Sequence, residues 1–107
     1  MGTLACVMRL IAQSTLAEFA ERNPHTKAAL IHWRSVVKDA DWTNVSDVQA
    51  AFSKAKTLTG ERVRFEVAGG NYRLVAAFDF RRSIVFVKFI GSHADYDKID
   101  ALTVNLF

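Results

Sequence analysis

His93 and Tyr96 stand in the run Ser92-His93-Ala94-Asp95-Tyr96-Asp97-Lys98-Ile99-Asp100, and at that spacing on a helical turn two side chains share one side. Imidazole gives or takes a proton near neutral pH, while a phenol can donate a hydrogen bond, stack on a base, or act as an acid or base. Arg64 and Arg73 can pair with phosphate oxygens in a bidentate way, and Lys88 supplies a more mobile point charge. Together these groups fit RNA strand cleavage without a metal. That reaction requires a 2′-hydroxyl to lose its proton, the charge growing on the phosphate to be stabilised, and the leaving 5′-oxygen to be protonated. Each residue also has a plainer reading: a histidine near a strand end can be a structural cap, and a row of charges can be a solvated face.

The elements that must position these residues follow from local pattern. Ser92 and Asp95 have the spacing of a capping box with Asp in place of Glu, which predicts one helical turn from Ser92; Ile99 would anchor the segment in the core. Upstream, Val63, Phe65 and Val67 alternate with Arg62, Arg64 and Glu66 as a half-buried strand. The Gly69-Gly70-Asn71 turn leads into a strand from Tyr72 to Phe80, and Arg81-Arg82-Ser83 turns into a strand from Ile84 to Ile90. These three strands are expected to be antiparallel neighbours. If Val63, Phe65, Val67, Leu74, Ala76, Phe78, Val85, Val87 and Phe89 face the helices, Arg62, Arg64, Arg73 and Lys88 fall on the opposite face. Lys88 interrupts an otherwise apolar strand, where a charge is costly unless the face is open or the charge is paired. Glu66 and Asp79 are its candidate partners. Phe86, on the same face, could stack on a base.

The first half predicts a short strand over Val7 to Ala12, then a helix capped by Ser14 that carries Leu16, Phe19 and Ala20 and stops near Asn23. Pro24 suits the first turn of a second helix in which Ala28, Ile31, Trp33, Val36 and Val37 recur at roughly helical spacing up to Asp39. Ser46 is the expected cap of a brief third helix with Val48, Ala51, Phe52 and Ala55 on one side. The sum is an α+β domain: a short N-terminal strand and about three helices packed on one face of a C-terminal antiparallel sheet.

The run Asn71-Tyr72-Arg73-Leu74-Val75, followed by Ser92-His93 and Tyr96-Asp97-Lys98-Ile99, resembles the HigB-type toxins of bacterial type II toxin–antitoxin systems, relatives of the RelE superfamily. The likeness is specific over residues 69–100 and general in outline before them. It implies a RelE-like fold and a single toxin domain over 1–107. Such toxins commonly begin as Met8-Arg9-Leu10-Ile11 does, so residues 1–7 read as an extension or alternative start. It also implies an mRNA endoribonuclease acting on ribosome-bound message, held in check by a HigA-like antitoxin with a helix-turn-helix fold. His93 and Tyr96 then belong to the active site, with Arg73 as the strand arginine. Arg62, Arg64, Lys88 and Lys98 are the RNA-binding candidates.

Other classes find little support. A chain of 107 residues, half of them hydrophobic, holds one modest core and no second domain. Its net charge of +3 favours a polyanionic partner, although acidic residues are interspersed among the cations. The single Cys6 excludes an internal disulfide and fits a reducing compartment. No apolar run approaches membrane-spanning length, so a cytoplasmic protein with no membrane partner is expected. His25, after Pro24, and His32, beside Trp33, read as surface or packing residues. No metal-ligand spacing occurs, and no cofactor is expected. Gly69-Gly70 lacks the lysine of a phosphate-binding loop, and Ser92 lacks the context of a nucleophile. Two readings compete with the enzyme: a non-catalytic module binding RNA or protein through the same basic face, and a subunit docking an acidic chain there.

Overall fold

Alternation with a period of two produces the sheet. In the computed structural model, which describes residues 8–106, the run from Arg62 forms β3 (Arg62–Val67), the run after the glycine turn forms β4 (Tyr72–Asp79), and the last apolar run forms β5 (Ile84–Ser92). The expected extension at 1–7 lies outside the described residues. β3, β4 and β5 are antiparallel neighbours, as their connecting turns require. Gly69 and Gly70 take φ of +72° and +92°, a left-handed conformation that glycine adopts without a Cβ penalty.

Two further strands complete a five-stranded mixed sheet in the order β1-β5-β4-β3-β2. The N-terminal strand β1 (Arg9–Ile11) runs parallel to β5 at one edge. The other edge is β2 (Lys56–Thr57), a pair of exposed residues whose lack of apolar alternation hid it from the sequence.

The helices pack on one face. They are α1 (Gln13–Arg22), α2 (Lys27–Lys38), which follows a 3-10 turn at Pro24–Thr26, and α3 (Val45–Ala51). Two expected caps were misplaced. Ser14 lies inside α1, which begins after Ala12 with no side-chain cap, and α3 is capped by Asn44, whose side chain accepts from Asp47 N, rather than by Ser46. On α2, Leu30, Trp33 and Val37 point inward, whereas Ile31 is 47% exposed.

Between helices and sheet lies the main core. Phe65 is met edge-on by Trp33 at 5.3 Å and by Phe52 at 5.1 Å. Fully burying one such large apolar side chain is worth about 1.5–3 kcal/mol.

One strand departs from simple alternation. A bulge in β5 shifts the register, so Val75 pairs with Phe89 while Ala76 pairs with Val87, leaving Lys88 extra. Val85, Val87 and Ile90 face the helices, and Phe89, expected among them, is turned to the other face. There it joins Val75 and Val104 in a second apolar cluster, packed against by Leu58, Tyr96, Ile99 and Ala101. Ile99 thus anchors its segment, but in this second cluster. The chain after β5 folds back over the face the sequence had left open.

Candidate active site

The predicted turn is present as α4 (His93–Tyr96), and Ser92 Oγ accepts from Asp95 N at 3.0 Å. His93 and Tyr96 therefore leave one short helix together. The Tyr96 ring packs against Phe89, 6.1 Å between centroids, and is half-buried. The His93 side chain is 56% exposed, with Nε2 3.5 Å from Asp97 Oδ1, one turn further on.

Register fixes what lies beside this turn. Tyr72 pairs with Ser92 and Arg73 with Gly91, so the start of β4 runs alongside the strand end that leads into α4. His93 N donates to Asn71 O at 2.9 Å. Gly91 is where that fit is tightest: a Cβ there would meet Phe89 Cζ at 2.8 Å and Asp95 Cβ at 3.4 Å.

The expected strand cations come from the face opposite the helices, arranged in rows set by strand pairing: Glu66 beside Arg73 and Gly91, Arg64 beside Val75 and Phe89, Arg62 beside Ala77 and Phe86. They do not form one open basic surface, because Val75 and Phe89 lie under the returning chain in the middle row.

Arg73 is 9% exposed; its Nη1 donates to Gly70 O and Tyr72 O, and its buried Nε has no partner. Arg64 reaches Glu66 at 3.4 Å. Arg62 Nη1 donates to Ala101 O and Val104 O, holding the C-terminal chain. Lys88 is paired with neither Glu66 nor Asp79. It donates to Asn105 at 3.0 Å and lies 5.2 Å from the centre of the Phe86 ring. Lys98 is exposed just beyond α4.

These residues sit within a recognisable frame. A family model described as HigB_toxin, RelE-like toxic component of a toxin-antitoxin system, matches residues 26–99.

The chain belongs to the HigB toxin family.

A HigB relative, the mRNA interferase HigB of Escherichia coli O6:H1 (strain CFT073), is 29% identical over 94 residues, covering 86% of this chain and 91% of the relative. The HigB match takes in β3, β4, β5 and α4 and ends at Ile99. Membership makes this chain the toxic half of a pair whose other half is an antitoxin. Among the described residues, no helix is long and apolar enough to cross a membrane, and no group of three or more His, Cys, Asp or Glu is gathered as metal ligands.

One contact at this end of the sheet escaped the sequence. His25 Nε2 lies 2.6 Å from Tyr72 Oη, on the helix side, where Phe19 also meets the Tyr72 ring. His25 precedes the first residue of the family match, and 47 positions separate the pair, so neither motif nor spacing marked it.

Proposed function

We propose that this HigB-family toxin is an mRNA endoribonuclease that cuts message held on the ribosome and is neutralised by a HigA-like helix-turn-helix antitoxin in the cytoplasm. The observation that carries the reading is the Ser92-capped turn, which presents His93 and Tyr96 from one short helix beside the Arg73–Gly91 pair. The 2′-hydroxyl of the substrate loses its proton, its oxygen attacks the adjacent phosphorus, and the P–O5′ bond breaks as the 5′-oxygen gains a proton. The products are a 2′,3′-cyclic phosphate and a 5′-hydroxyl.

His93 serves one of the two proton transfers, with Asp97 orienting its ring, and Tyr96 serves the other or holds the phosphate by its hydroxyl. Arg73 places positive charge beside the reacting phosphate, with Arg64, Arg62, Lys88 and Lys98 along the strand's path. A small domain that borrows the ribosome to position its substrate needs few contacts of its own. The relative named mRNA interferase supports the same reading.

Expression in bacteria tests it. Wild-type protein should arrest growth, and His93→Ala or Tyr96→Phe should relieve the arrest at matched soluble levels. Full toxicity of both variants would overturn the site assignment.

A further inference from the structure

The row farther from α4 reads Arg62, Ala77, Phe86 and Ile11 across β3, β4, β5 and β1, since these are register partners. Directly paired residues present their side chains on one face. Ala77 is a small residue between a guanidinium and an aromatic ring, and it floors a depression of about 570 Å³ that Glu61, Asp79 and Lys88 also line. Phe89, on the same face, is buried against Val104; Phe86 remains partly exposed. Lys88 stands over its ring, and Arg81, exposed in the β4–β5 turn, adds a third cation at the rim.

A partly exposed phenyl ring among three cations suits a flat group that carries a negative charge at its edge. A nucleobase stacks on the ring while its phosphate meets the cations, a pairing that tolerates any base. The two carboxylates set the orientation. Glu61 and Asp79 would repel a phosphate driven inward but can accept from the N–H groups of a base. They equally disfavour an acidic peptide. Asp79 already lies near Arg82, 3.8 Å from its Nε, which leaves Glu61 the freer acceptor.

The geometry points to a nucleobase subsite at Phe86, which holds a nucleotide of single-stranded RNA remote from the scissile bond. From Phe86 to Ser92, at the end of β5, is about 20 Å at the usual strand rise, a reach of several nucleotides. That the bound strand is the one being cut rests on the proposed function; the binding of a nucleotide at Phe86 does not.

Anisotropy of a labelled single-stranded octanucleotide, measured on the His93→Ala background so that no cleavage intervenes, tests the subsite. Phe86→Ala should weaken binding about fivefold or more, the lower end of what a base–aromatic stack contributes. Phe86→Trp, which keeps a stacking surface, should bind at least as tightly as the parent, separating stacking from damage to the fold. Affinity within twofold for Phe86→Ala would overturn the subsite. Unchanged RNA affinity with a weakened antitoxin complex would overturn it in favour of a protein interface. If wild-type protein failed to cut RNA while the octanucleotide still depended on Phe86, the cleavage reading would fall and the subsite would stand.

Discussion

The backbone N–H of His93 donates to the carbonyl of Asn71 at 2.9 Å. The start of α4 is thereby tied to the turn that precedes β4, and the preceding residue of that turn, Gly70, accepts from the Arg73 guanidinium. One glycine-rich turn thus touches both the histidine and the strand arginine. Their relative placement depends on main-chain geometry more than on any side-chain contact between them.

Gly91 should be the most sensitive position outside the reacting groups. Gly91→Ala places a methyl against the buried Phe89 ring and the base of α4, and overpacking of this kind costs about 1–3 kcal/mol. Denaturant unfolding should show that loss, and cleavage at temperatures where the variant is folded should also fall as α4 shifts. Unchanged stability and activity would show that α4 is not held by this contact.

The cations should contribute a salt-dependent term to RNA affinity. Arg64→Gln and Lys88→Gln are each expected to weaken binding and to lower the slope of log affinity against log salt by about one. Lys27→Gln, on the exposed side of α2, should change neither. Equal, small effects at all three positions would favour a solvated sheet face.

Tyr72→Phe removes the hydroxyl that meets His25 while leaving the ring against Phe19. The expected loss is about 0.5–1.5 kcal/mol, the usual net worth of a hydrogen bond. Combining it with His25→Ala should cost less than the sum of the two single changes, because both delete one interaction. Full additivity would mean that the two side chains do not act on each other.

How much of this was legible follows from how local each signal is. The Ser92 cap, the turn through Gly69 and Gly70, and the alternation in β3 depend on neighbours in sequence, and all three were read correctly. The bulge at Lys88 was not, because strand pairing rather than the residue string decides where an extra residue sits; it turned Phe89 from the helix side to the opposite face. The His25–Tyr72 contact joins distant segments and left no local trace. The return of residues 99–106 over the sheet shows neither helical nor strand period, yet it engages Arg62 and Lys88 and so divides a surface that alternation alone had drawn as continuous.

The most direct measurement is end-group analysis of message fragments made by wild-type toxin and by His93→Ala at equal concentrations of folded protein. Loss of a general acid or base lowers the rate by about 10²–10⁴-fold, so the variant should yield almost no fragments. Wild-type fragments should end in a 2′,3′-cyclic phosphate or its 3′-phosphate hydrolysis product, as the proposed attack by the adjacent 2′-hydroxyl requires. Since the ribosome itself needs magnesium, chelation would mislead, whereas the chemistry of the ends does not depend on it. Fragments ending in 3′-hydroxyls, or cleavage by His93→Ala at the wild-type rate, would contradict the account.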